Sequence, residues 1–165
     1  MVILAISAAL MFVLQVAMSP LPNIEPVSLL IIVVTCFYGW DTLLSVAVFI
    51  LLEGCVYGFG LWWFFYLYAW PVLVVLTVLL KPVLKDSALG YAILSGFFGL
   101  AFGFLYALIL LVNGGGWQSV IAAWISGIPF DLLHCAGNFV LCLVLFKPLS
   151  KLLERFASGP VMQGS

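Results

Sequence analysis

Hydrophobic residues fill this chain in long blocks, and only a few short clusters of polar or turn-forming residues interrupt them. The clusters are SPLPNIEP at residues 19–26, Gly39-Trp40-Asp41, YGFG at 57–60, KPVLKDS at 81–87 and Asn113-Gly114-Gly115-Gly116. Pro20, Pro22 and Pro26 exclude helix from the first cluster and make it an ordered loop. Between the clusters, the apolar blocks predict six helices: Val2–Met18, Val27–Tyr38, Thr42–Tyr57, 61–80, Ala88–Val112 and a last one ending at Phe146. Crossing about 30 Å of hydrocarbon takes roughly 20 residues, so the second block must tilt or borrow from its flanks. The stretch from Trp117 to Phe146 is too long for one crossing, about 45 Å if wholly helical. Counting back about 20 residues from Lys147 places that span over 127–146, with 117–126 an interfacial approach.

Composition turns these blocks into membrane spans. Of 165 residues, 67% are hydrophobic and 7% charged, against about 25% charged in a soluble domain. There is too little polar surface for a water-facing shell, so the chain predicts an all-α integral membrane protein. Residues 1–157 form one six-helix domain and 158–165 a disordered tail. The net charge of −1 says nothing about partners, but no Lys/Arg cluster reads as a nucleic-acid patch, which sets that class aside. Cys36, Cys55, Cys135 and Cys142 all lie in apolar blocks without a ligand spacing, which disfavours disulfides and a metal site. Nothing calls for a cofactor. The N-terminus lacks the basic start of a signal peptide and reads as a retained first helix.

Charge then orients the bundle. All five basic residues (Lys81, Lys85, Lys147, Lys151 and Arg155) fall in the loop after the fourth block and in the C-terminal tail. Two spans separate those places, so they share one side, which the positive-inside rule makes cytoplasmic. Six spans then put both termini in the cytoplasm of a multi-pass plasma-membrane protein. The loops at 19–26, 57–60 and 113–117 gather on the outside.

Three kinds of polar or aromatic feature collect on that outer side. Glu25, Glu53 and Asp131 are acidic. Asn23, Asn113, His134 and Asn138 supply amides and an imidazole. Nine aromatics crowd between Tyr57 and Trp70. Asp131, His134 and Asn138 are spaced by three and four, so they share one helix face. A carboxylate in an apolar span costs roughly 2.5–3.5 kcal/mol, so Glu53 and Asp131 imply a partner or a watery cavity. The aromatics form an interfacial belt or a stacking platform for a flat ligand. Glu25 is either solvated or a ligand contact, and His134 either binds ligand or hydrogen-bonds Asp131. The candidate site is therefore Asn23, Glu25, Glu53, Tyr57, Trp62, Trp63, Tyr66, Trp117, Asp131, His134 and Asn138.

An enzyme is not expected. No HExxH or GxSxG is present, and Ser119 and Ser126 are nucleophile candidates only by elimination. Ser95, Gly99, Gly103 and Ala107 recur every four residues, a stripe that lets another helix approach closely. Ala5 and Ala9 form an AxxxA pair on the first helix.

With its six spans, the AxxxA pair, the outer loop LPNIEPVSLL, the block EGCVYGFGLWWFFYLYAWP and GIPFDLLHCAGNFVLCLVLFKPL before a basic tail, the chain resembles the S components of energy-coupling factor transporters. These are prokaryotic membrane subunits that capture vitamins. The resemblance covers nearly the whole chain. It implies a substrate pocket opening outward, a transmembrane coupling subunit that Ala5 and Ala9 contact, and two cytoplasmic ATPases. It also implies no ATPase in this chain, which has no GxxxxGK[ST]. The absence of Lys or Arg before the first span departs from the pattern. Aromatic faces with carboxylates and amides suit a flat, nitrogen-rich vitamin or precursor. Cobalamin, a queuosine precursor and a pyrimidine-type vitamin all remain open. The rival reading is a membrane scaffold resembling the rod-shape-determining proteins, with the polar face as internal glue.

Overall fold

A computed structural model describes residues 1–21 and 23–157, and these are helical almost throughout. No strand occurs among the described residues. The helices are α1 (Val2–Met18), α2 (Val27–Tyr38), α3 (Thr42–Tyr57), α4 (Leu61–Leu84), α5 (Ala88–Ala107), α6 (Ile109–Val112) and α7 (Trp117–Ala157). The residues at the breaks explain them. Gly39 (φ 56°) and Gly58 (φ 87°) take left-handed backbone that closes α2 and α3, a conformation glycine adopts without steric cost. Ser87 caps α5, its hydroxyl accepting the Gly90 N–H at 3.1 Å, which satisfies one of the free donors of the first turn.

Four stretches among the described residues are long and apolar enough to cross a membrane: Val27–Tyr57, Leu61–Leu84, Ala88–Val112 and Trp117–Phe156. The protein is therefore all-helical, with the helices of a membrane protein. Length alone gives four spans rather than the expected six. The reason is that α1 has 17 residues and that Val27–Tyr57 counts as a single stretch. That stretch is interrupted at Gly39–Asp41 by a 3-10 turn. The Ser45 hydroxyl near the start of α3 donates to the Leu4 carbonyl near the start of α1, at 2.9 Å. At the other ends of the same helices, Gln15 and Ser19 share a cavity with Glu53 and Tyr57. So α1 and α3 run side by side in one direction.

Four boundaries differ from expectation. Residues 81–84, expected in a loop, continue α4 through Pro82, and the helix closes where Lys85 turns to φ 49°. The block from Ala88 breaks at Leu108, between α5 and α6. The last helix, expected to end at Phe146, continues to Ala157 as α7, and residues 117–126, expected as an approach, belong to it too, making a 41-residue helix about 60 Å long. Bilayer thickness limits where an apolar span ends, not where a helix ends, and no strong helix breaker stands among those residues. Pro129 and Pro148 lie inside α7; each forfeits one backbone hydrogen bond without ending it. The expected tail at 158–165 lies outside the described residues.

The closest helix pair is α5 with α7, and the small-residue stripe makes it possible. A Cβ at Gly99 would stand 2.8 Å from the His134 carbonyl, and one at Gly103 would meet the Asp131 carboxylate. The stripe is internal packing. Trp70, wholly buried, centres the aromatic core, with Phe49, Tyr66, Phe98 and Phe102 rings 5.4–6.1 Å away.

Gly99→Ala should lower the thermal unfolding midpoint in detergent, equivalent to about 1–3 kcal/mol of overpacking. Gly127→Ala, where an added Cβ meets nothing within 4 Å, should hold or raise it. Equal midpoints for the two variants would contradict this packing.

Candidate functional site

The bundle end opposite the lysines carries the site. There the end of α1, the end of α3 and the start of α4 place polar side chains around a cavity of about 280 Å³. It is lined by Gln15, Ser19, Glu53, Tyr57, Trp62 and Tyr66. A second cavity of about 300 Å³ shares the Trp62 and Tyr66 wall and reaches Asn23, Phe102, Gly103, Tyr106 and Asp131. Six of the expected site residues thus line two adjoining hollows: Asn23, Glu53, Tyr57, Trp62, Tyr66 and Asp131.

Glu53 is 2% exposed, and its Oε1 finds no hydrogen-bond partner among the described residues. Asp131 is 3% exposed. Its Oδ1 accepts the Gly103 backbone N–H at 2.9 Å, whereas Oδ2 has no partner among the described residues. A buried polar atom left unpaired costs about 1–3 kcal/mol, more if charged, so both acids hold unused acceptor capacity facing a cavity. Tyr66 is fixed by Gln15, whose Nε2 donates to the tyrosine oxygen at 3.0 Å. The Trp62 ring packs edge-on against Tyr66, centroids 5.4 Å apart. Asn23, at φ 56°, donates from Nδ2 to the Phe130 carbonyl at 3.1 Å and ties the α1–α2 loop to α7.

The other expected residues are placed differently. Asn138 is 2% exposed and donates to the Ser28 hydroxyl at 3.1 Å and the Ser95 carbonyl at 3.2 Å, fastening α7 to α2 and α5. Trp63 donates its indole N–H to the Ile50 carbonyl at 2.9 Å and packs on Phe59. It lines neither cavity. Trp117 is 61% exposed and also outside both. His134 is fully buried edge-on against Phe102 at 4.7 Å. It makes no bond to Asp131, and neither of its nitrogens has a partner among the described residues. Gln15, Phe102 and Tyr106 line the cavities without having been foreseen. Gln15 was legible as one of two polar residues in α1, with Ser7.

Glu25 is half-buried in the loop between α1 and α2. Burial pushes its carboxyl up to about 7 from the usual 4.5, and the nearby Glu53 carboxylate adds to the shift. The folded protein therefore keeps a proton that the unfolded chain gives up, so between pH 4.5 and about 7 stability falls as pH rises.

Comparison with known protein families, with curated proteins and with solved structures finds no match to this chain.

The unfolding midpoint should thus decline from pH 5 to pH 8, and Glu25→Gln should flatten part of that decline. An identical pH profile for the variant and the parent would show that Glu25 is not held protonated by the fold.

Proposed function

We propose that this protein is the substrate-capture subunit of a membrane importer of the energy-coupling factor type. It binds a flat, nitrogen-rich vitamin or precursor in the two adjoining cavities. The observation that carries the reading is the pair of buried acids. Glu53 and Asp131 each keep an oxygen without a partner among the described residues, and each lines a hollow walled by Trp62 and Tyr66. A ligand with ring N–H or amino donors would fill that acceptor capacity while its plane packed on the aromatic wall. All five basic residues lie at the other end of the bundle or beyond it, so a strongly anionic ligand is disfavoured. The site offers binding groups, and the chain carries no nucleotide-binding loop that would hydrolyse ATP.

In this reading the bundle has six spans with both termini cytoplasmic. The break at Gly39, together with α1 and α3 running in the same direction, supports α2 and α3 as two separate crossings. The lysine-bearing end faces the cytoplasm of a prokaryotic cell. Ala5 and Ala9 lie on the exposed face of α1, beside an apolar groove that includes Ile6, Leu10, Leu149 and Phe156. That face is where a transmembrane coupling subunit, itself driven by two cytoplasmic ATPases, would pack. The two alanines there would let its helix approach closely.

The test is a thermal-shift screen of the detergent-purified protein against vitamins and their precursors. A ligand that binds only the folded state adds about 2.7 kcal/mol at a hundredfold excess over Kd. One compound should raise the midpoint, and Asp131→Asn should lose the rise. A flat response across the panel from a folded protein would favour a scaffold instead.

A further inference from the structure

The end of the bundle away from these cavities has a site of its own. Lys81 and Lys85 close α4, and Lys147 and Lys151 sit one helical turn apart on α7. These are two pairs spaced by four residues, from helices far apart in sequence, yet all four lysines line one cavity of about 330 Å³. The topology rule requires basic residues on that side of the membrane. It does not require four of the five to converge on one hollow. Asp86 and Glu154 also line the cavity. Four ammonium groups against two carboxylates leave it two positive charges in excess.

The floor provides an independent sign of a ligand. Tyr91 is wholly buried and stacked on Phe146, centroids 4.5 Å apart, and its hydroxyl has beside it only the Cys36 thiol, a weak partner, with no well-formed hydrogen bond among the described residues. The Ser150 hydroxyl, on a half-buried residue, has no hydrogen-bond partner among the described residues. Both residues line the hollow. Buried hydroxyls are nearly always well paired, and these two belong to residues that line the same hollow as the four lysines. Hydroxyl donors beneath ammonium groups make a receptor for a compact oxyanion with several acceptor oxygens. Lys147 also marks the end of the apolar run of α7, which is the depth at which lipid phosphates lie.

We propose that this cavity binds a phosphate-bearing anion, with the lysines supplying charge and Tyr91 and Ser150 supplying directed hydrogen bonds from below. The phosphate belongs to an anionic lipid headgroup or to a free phosphate compound. The site is separate from the vitamin cavities and does not depend on that reading.

The experiment measures binding to the full-length protein in detergent, by native mass spectrometry and by midpoint shift. The probes are phosphatidylglycerol, phosphatidylcholine, and inorganic phosphate against chloride at equal ionic strength. Phosphatidylglycerol should bind in preference to phosphatidylcholine. Lys81→Gln and Lys147→Gln should each weaken it about fivefold. Tyr91→Phe should weaken it about tenfold, and it keeps the ring stacked on Phe146, so the fold survives the change. Arg155→Gln, outside the cavity, should leave binding unchanged. If inorganic phosphate alone reproduces the shift with the same variant pattern, the proposal stands and the ligand is a free phosphate compound. Binding of neither probe overturns it. So does an equal loss in Arg155→Gln and Lys147→Gln, which would reduce the effect to diffuse surface charge.

Discussion

The close approach of α5 and α7 is the constraint on which the rest of the structure depends. It needs two positions without a Cβ, Gly99 against the His134 backbone and Gly103 against the Asp131 carboxylate. Once the helices are that close, the Gly103 N–H reaches Asp131 and the Asn138 amide reaches the Ser95 carbonyl. Asn138 also takes in Ser28, so one amide locks three helices. Inside a bilayer no hydrophobic force drives helices together, so backbone packing and such polar bonds must supply the association.

That arrangement divides the polar residues of α7 by task. Asn138, lower on the helix face, is spent on holding the bundle. Asp131, two turns nearer the α1–α2 loop, is only half satisfied and lines a cavity. Glu53 repeats the pattern from α3. A bundle optimised for stability alone would replace both acids with apolar side chains, since an unpaired buried polar atom costs more than a hydrogen bond returns. Retaining them is what the proposed ligand would account for, since its donors would complete their bonds.

Much of this was legible in the sequence. The ends of α1, α2 and α3 follow from the proline loop, Gly39 and YGFG, because turn residues act locally. The small-residue stripe announced a close helix contact, and the apolar setting of Glu53 and Asp131 announced a cavity. What was not legible depends on rotation about helix axes. The crowded aromatics from Tyr57 to Trp70 look alike in sequence, yet Phe65 and Trp70 are core, Trp63 is tied to Ile50, and Tyr57, Trp62 and Tyr66 wall the site. Nothing in the spacing of Asp131 and His134 says that the carboxylate turns to Gly103 and the imidazole to Phe102. Convergence of four lysines on one hollow was equally hidden, because charge counting places residues on a side of the membrane and not around a cavity.

The most direct test of the account is the ligand-free stability of Glu53→Met, measured as the unfolding midpoint beside the parent protein. If Glu53 is kept for a ligand, removing its unpaired carboxylate stabilises the empty protein, by about 1–3 kcal/mol for the unsatisfied group, and abolishes capture. A fall in the midpoint would contradict the account, because it would mean that the carboxylate holds the bundle together and that the cavity is incidental to it.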